Sequence, residues 1–350
     1  MNRTISVAEI NEVVADKRQR GISQKFEDEL TDGILQPILE RLRRDDTLSL
    51  EIRNGYIDIY YRGGRLLNLR ANAKANKFTT AFDKRYCDAG DWCPELPPNP
   101  CKAIESAEQA QAWVDVFALH KQIMDIHFCS SPKIEREYQQ AVVRDNNRHH
   151  TGERSDYVIV DVEYAQSPAA FPERKVDYRF DMIGFRWPLS KGRRGRDVVT
   201  PVIMEMKAGD AALAASCGLK EHVDDIEALL RPASGEIFSG PYLLMCREML
   251  RSFALKQRLG LPSIPKRMQG LEISEVAVKP EVIFVIANHQ PGSSVLHREL
   301  RGLEAGKRAD YYVATVQHTG YALFAENMKP LDKFVAKLRK KDKTAAPAVA

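Results

Sequence analysis

From residue 157 onward the apolar residues switch between two periods, and this switching restricts the fold more than any other feature of the chain. Stretches at about 157–164, 176–187, 200–207, 281–288 and 310–324 alternate or run apolar over the length of a strand. Stretches at about 218–231, 241–259 and 293–304 repeat at three- and four-residue spacing instead. Period two belongs to strands and period 3.6 to helices. Three strands in succession, then interleaved helices and strands, predict an α/β fold with a mixed central sheet flanked by helices.

The upstream part reads differently. Phe26, Leu30, Ile34, Leu35, Ile38, Leu39 and Leu42 make one helical stripe within about residues 4–45, interrupted at Pro37. Leu48, Leu50 and Ile52 then alternate with polar residues, and Asn54-Gly55 is a strong hairpin signal. Arg62-Gly63-Gly64 supplies a second turn, so an antiparallel β-meander is expected over about 47–70. Pro94, Pro97, Pro98 and Pro100 mark 88–101 as a linker. Helical spacing resumes at 107–128 and again from Pro132 to about 145. The expected division is therefore an N-terminal helix and β-meander module over 1–100, for targeting, substrate or partner binding. A core over 101–330 and a flexible basic tail over 331–350 follow it.

Composition narrows the class. A chain of 350 residues accommodates about two domains. Its 44% apolar and 29% charged residues fit a globular protein. The longest apolar run, 282–287, falls far short of the roughly 20 residues a membrane-spanning helix needs, so no membrane association is expected. The charged first thirty residues offer no apolar core for a secretory signal. With six unevenly spaced cysteines this points to a reducing, cytoplasmic setting, and Cys87, Cys93 and Cys101 are too widely spaced for a usual structural zinc site. A net charge of +4 permits nucleic-acid binding without requiring it. Neither a glycine-rich phosphate loop nor a serine nucleophile elbow occurs, so ATP, dinucleotide and serine-hydrolase chemistry have no support.

The chemistry-bearing stretch is 181–207. In the strand ending Glu205-Met206-Lys207, Glu205 and Lys207 share a face with Ile203. In the preceding strand, Asp177, Arg179, Asp181 and Ile183 share a face, so two neighbouring strands bring Asp181 beside Glu205 and Lys207. Charges on an apolar strand need partners or a metal. Paired carboxylates suit Mg²⁺ or Mn²⁺, hard ions that take oxygen ligands and keep waters for a substrate phosphate. The Met206 carbonyl, directed between the two side chains, offers a further ligand. Lys207 can neutralise phosphate charge or orient an attacking water. A plain surface ion pair, worth about 0–1 kcal/mol, accounts for the same residues without any function.

A strand carrying Asp181, then a strand carrying Glu205-Met206-Lys207, then a helix resembles the PD-(D/E)xK nuclease superfamily and its restriction-endonuclease-like fold, over about 132–290. The resemblance implies a metal-dependent phosphodiesterase acting on DNA or sometimes RNA, with DNA favoured, in a setting such as bacterial restriction or anti-phage defence. It implies catalytic roles for Asp181, Glu205 and Lys207, metal ligation by Asp181, Glu205 and the Met206 carbonyl, and a further acid from the first core helix, where Glu137 is favoured over Glu135. Double-strand cutters of this fold often act in pairs, so a homodimer or a regulatory partner is expected. Phe180 stands where the family often has proline, and the 24-position gap from Asp181 to Glu205 calls for an extended hairpin turn.

Secondary candidates surround this set. Asp161 and Glu163 share a face of the strand 157–164, either near the metal site or on a solvated edge. His222 and Asp225 are three apart on the helix 218–231, as accessory groups or as a helix-surface pair. Lys191, Arg193, Arg194 and Arg196 occupy the hairpin between the two active strands and could grip phosphates or simply be solvated. Tyr56, Tyr60 and Tyr61 among Arg53, Arg62, Arg65 and Arg70 suggest base stacking, a partner interface or ordinary packing. Two rival functions stand beside the nuclease. One is a catalytically inactive nuclease-fold protein acting as a nucleic-acid-binding or assembly subunit, and the other is an interaction protein without a nucleic-acid role.

Overall fold

The computed structural model describes residues 3–15, 17, 20–72, 77–87, 99–148, 152–172, 177–188, 197–213, 218–289, 293–316, 323, 325 and 328–345. Its elements run β1 (Thr4–Ser6), α1 (Val7–Val13), α2 (Gln24–Thr31), α3 (Gln36–Arg44), β2 (Leu48–Ile52), β3 (Tyr56–Tyr61), β4 (Gly64–Asn72), β5 (Lys77–Ala81) and β6 (Ala103–Ile104). Next come α4 (Ala107–Asp115), α5 (Phe117–Ser130), α6 (Ile134–Asn147), β7 (Tyr157–Gln166), β8 (Tyr178–Arg186), β9 (Val198–Ala208), α7 (Asp210–Leu213), α8 (Leu219–Leu229) and α9 (Gly240–Arg258). The chain continues through β10 (Glu275–Ala277), β11 (Glu281–Ala287), α10 (Ser294–Arg301), β12 (Asp310–Val316), β13 (Lys329–Pro330) and α11 (Leu331–Ala345). The protein is mixed α/β, with one mixed sheet and one antiparallel sheet.

Two compact units share the chain. The first comprises Met1–Lys17, Asp145–Met249 and Leu271–Ala350, and the second Arg18–Arg144 and Leu250–Gly270. This corrects the boundary expected near residue 100. Trp113, Phe117, Ile123 and Met124 bury in the same apolar cluster as Leu50, Ile57, Ile59 and Leu67, so α4 and α5 belong with the meander. The first seventeen residues leave the meander because β1 pairs antiparallel with β10. The proline-rich stretch 88–98 lies outside the described residues.

The first unit is built on an eight-stranded sheet ordered β1-β10-β9-β11-β12-β13, with β8 also paired to β9 and β7 to β8. Strands β9, β11 and β12 are parallel, whereas β7, β8 and β9 form an antiparallel run. All seven residues of β11 are buried, which explains the apolar run 282–287; Glu281 at its start is held by the Tyr157 hydroxyl and Arg186. Ser6 starts α1 with a capping box: its hydroxyl accepts from Glu9 N–H at 3.2 Å, and Glu9 accepts from Ser6 N–H at 2.9 Å. Residues 331–345, expected as part of a flexible tail, form a helix because Leu331 and Val335 are buried in this unit. β12 ends at Val316, short of the expected 324, and 317–322 lie outside the described residues.

The second unit carries the meander, extended to five strands in the order β2-β3-β4-β5-β6. Its apolar face packs on α2, α3, α4 and α5. The helical segment expected over 4–45, with a kink or break at Pro37, is three helices; Ser23 caps α2, and Pro37 lies in the first turn of α3, where a proline lacks only an unneeded donor. The other face of the meander is polar yet largely buried. Glu51 stands opposite Asp58, and Asp58 opposite Asn68. Lys256 Nζ reaches Glu51 at 3.0 Å and Asn68 donates to Asp58 at 2.8 Å, so these buried charges are paired. No helix among the described residues is long and apolar enough to cross a membrane.

Two expectations test these units separately. A β-bulge between Ile159 and Asp161 drives the β7 backbone against Gly184 of β8, where an added methyl would overlap the Val158 carbonyl oxygen. Gly184→Ala is expected to cost about 3 kcal/mol or more in urea unfolding, because backbone rather than a flexible side chain must move. In the second unit His120 is buried, stacked 4.1 Å from Phe82, and burial lowers its pKa from 6.5 to about 4. The unfolded chain then takes up the proton more readily than the folded one. Stability contributed by neutral His120 is present above pH 6.5 and lost as the pH falls toward 4, by an amount on the order of 3 kcal/mol. His120→Leu should flatten this part of the urea-midpoint profile against pH.

Candidate functional site

Strands β8 and β9 fix the centre of the site. Their register sets Met182 opposite Met204 and Ile183 opposite Ile203, so Asp181 stands opposite Glu205 one step further along. Residues opposed in this way lie on the same face. Asp181 Oδ2 accepts the N–H of Met206 at 2.7 Å, which ties the carboxylate across to the neighbouring strand. On the far side of β9, Phe284 pairs with Glu205 and Ile286 with Lys207, in the parallel register of β11. Glu205 is 1% exposed and Lys207 7% exposed. The two carboxylates and the lysine that period two assigns to one face are thus gathered on two hydrogen-bonded strands.

Helix α8 adds a third element. Its buried stripe of Leu219, Val223, Ile226 and Leu229 seats it, and His222 flanks that stripe. The His222 Nδ1 atom lies 3.3 Å from Glu205 Oε2. Asp225, its expected companion, is exposed, and partial burial with the charges of Asp224 and Glu221 raises its carboxyl pKa. Lys207, by contrast, makes no ion pair among the described residues.

The row of acids continues into β7. Val162 pairs with Met182 and Tyr164 with Phe180, so Glu163 stands across from Asp181. Glu163 has φ +52, a left-handed backbone that costs a non-glycine residue roughly 1–2 kcal/mol. Strain of this kind persists where surrounding structure enforces it and concentrates at functional sites. Asp161 is buried two pairs away, opposite Ile183.

Two other expectations fall elsewhere. Glu137 belongs to the second unit, where Arg62 grips both of its carboxylate oxygens at 2.9 and 3.0 Å and also reaches Asp125 at 2.7 Å. That acid is held by an ion pair which helix spacing alone could not reveal. The loop with Lys191, Arg193, Arg194 and Arg196 lies outside the described residues.

Sequence reasoning overlooked Asp210 and His289. Both follow the carboxyl ends of adjacent parallel strands, β9 and β11, where open α/β sheets commonly bind ligands. Gly209, at φ +73, donates its N–H to the Ala287 carbonyl at 2.8 Å and turns the chain there. Asp210 Oδ1 and His289 Nδ1 are buried without a hydrogen-bond partner among the described residues. Burial lowers the His289 pKa, and Asp210 opposes that shift. The signal available in sequence was only the strand-end position.

No group of three or more His, Cys, Asp or Glu side chains gathers for a metal among the described residues. Two facing carboxylates remain, with the adjacent Met206 carbonyl. That donor set is all oxygen and suits Mg²⁺ or Mn²⁺, which bind through one or two carboxylates and take water and substrate oxygens for the rest. It is poor for zinc, which favours nitrogen and sulfur.

The chain matches no family model, no curated protein and no solved structure.

The cross-strand tether can be tested apart from any activity. Asp181→Asn keeps an oxygen that accepts from Met206 N–H and is expected to unfold in urea within about 1 kcal/mol of wild type. Asp181→Ala strands that donor and should cost about 1–3 kcal/mol. Equal stability of the two variants would show that the bond contributes nothing.

Proposed function

We propose that this chain is a metal-dependent nuclease that hydrolyses phosphodiester bonds of nucleic acid, DNA foremost, on a restriction-endonuclease-like core. The observation that carries the reading is the opposition of Asp181 and Glu205 on β8 and β9, with Lys207 on the same face two residues along. Asp181, Glu205 and the Met206 carbonyl would hold Mg²⁺ or Mn²⁺. When bound, such an ion lowers the pKa of water and offsets charge that develops on the phosphate.

The chain's own groups do the positioning. Met206 N–H fixes Asp181, and the imidazole of His222 beside Oε2 restrains Glu205. Phe284 and Ile286, next to the acid and the lysine in β11, keep the local dielectric low, so each charge acts more strongly than it would in water. The Lys207 ammonium orients the attacking water and stabilises negative charge on the phosphoryl oxygens. Its lack of an ion pair among the described residues suits that task, since a lysine already bound to a carboxylate would have to give it up. The setting that accompanies this reading is restriction or defence against foreign nucleic acid.

The test uses purified wild type and Lys207→Ala with plasmid DNA and with RNA, in Mg²⁺, Mn²⁺ or EDTA. Wild type should cleave only with metal, and Lys207→Ala should lose about 100-fold or more of that rate while keeping its urea midpoint. Wild-type cleavage by the variant would sink the assignment. Absence of cleavage on every substrate, with calorimetric Mn²⁺ binding that Asp181→Asn does not alter, would favour a catalytically inactive binding subunit.

A further inference from the structure

The second unit contains an open cleft of about 450 Å³, within the range of ligand sites. One wall is a face of α9 carrying Arg251, Leu255 and Arg258, at positions i, i+4 and i+7. The opposite wall includes Arg20 and Glu27. Three guanidinium groups therefore line the cleft against one carboxylate.

Two of the three are already fixed. Arg258 donates to both oxygens of Glu27, at 2.6 and 3.0 Å, which orients it and cancels that single negative charge. Arg20 is buried and donates to the Ile52 carbonyl at 3.4 Å. Arg251 is exposed and makes no hydrogen bond or ion pair among the described residues. Several other arginines of this unit are used internally. Arg41 binds Asp45, Arg43 binds the Leu259 carbonyl, Arg53 is paired with Asp58, and Arg62 bridges Asp125 and Glu137. Of the meander arginines expected to touch nucleic acid, Arg53, Arg62 and Arg65 stand beside acids, and Arg70 is exposed with its guanidinium laid over the Tyr56 ring, whereas the cleft presents a planar fork next to two further guanidinium groups. Such a fork matches the oxygens of a phosphate in pairs. Ile22 and Ala254, both half-buried, supply an apolar surface beside it for a sugar or base.

We propose that this cleft binds a phosphate group of a nucleic-acid strand, with Arg251 as the direct contact and Arg258 and Arg20 as its fixed positive surround. The choice of nucleic acid as the source of the phosphate rests on the nuclease reading; the anion site itself rests on the cleft.

The experiment uses the full chain in EDTA, so that binding is read without turnover. A fluorescein-labelled DNA oligonucleotide is titrated by anisotropy at several salt concentrations. Arg251→Glu should weaken binding about tenfold near 0.1 M salt, and Arg251→Gln should lower the slope of log K against log salt by about one. Inorganic phosphate at millimolar concentration should compete with the oligonucleotide for wild type more than for Arg251→Gln. Both substitutions sit on an exposed side chain, and circular dichroism verifies the fold. Unchanged affinity and salt slope in both variants would overturn the proposal. Binding that depends on Arg251 for phosphatidylserine vesicles, or for inorganic phosphate alone, but not for the oligonucleotide, would overturn the nucleic-acid source. The two readings fail separately. Loss of oligonucleotide affinity in Arg251→Glu with no metal-dependent cleavage by wild type leaves the cleft and removes the nuclease. Cleavage abolished by Lys207→Ala but untouched binding in Arg251→Glu does the reverse.

Discussion

Glu205 carries a carboxylate at 1% exposure on β9, the strand to which β8, β10 and β11 all pair. A buried charge is tolerated only where partners surround it. The neighbourhood follows from that requirement. Asp181 is pinned opposite by Met206 N–H, His222 closes on one oxygen from α8, and Lys207 stands on the same face. Two carboxylates facing each other repel, and the strands that oppose them are held by the buried apolar run 282–287 of β11 on the other side. The folded chain thus maintains an arrangement that is unfavourable by itself and becomes favourable once positive charge enters it. The proposed dication would supply that charge, which joins the electrostatics of folding to the chemistry of the proposed reaction.

The second unit solves a similar problem by internal neutralisation. The polar face of the meander buries Glu51, Asp58 and Lys256, and each has a partner within reach. Arg62, at φ +47 in the β3–β4 turn, spreads one guanidinium over two acids. Against that background an exposed arginine facing a cleft, with its charge unspent, is a chemical asymmetry within the unit.

Local periodicity made much of this legible. The strands and helices expected between 157 and 301 lie within a few residues of their observed spans, because burial on one face leaves a regular imprint on neighbouring residues, whereas the short α7 and β10 were not foreseen. The face shared by Asp181, Glu205 and Lys207 was readable for the same reason: period two assigns faces, and adjacent strands of a run pair with each other. What escaped was whatever depends on distant chain. Helix spacing showed which side Glu137 occupies but not that Arg62 would claim it. The left-handed backbone of Glu163 has no residue signature, since strain is imposed by neighbours. The division into units was missed because both units are assembled from separated segments, and a proline-rich stretch is a local mark that says nothing about which helices share a core.

The pairing of Ile5 with Val276 imposes an order on biogenesis. The partner of β1 is synthesised about 270 residues later, a delay of roughly 15–55 s at ordinary translation rates. Throughout that interval the edge of the first unit's sheet cannot be sealed. The strand concerned is only three residues long with one buried side chain, so it offers little template for pairing with another nascent chain. Ser6 both ends this strand and caps α1, so the docking of that strand is also the event that orients the helix behind it.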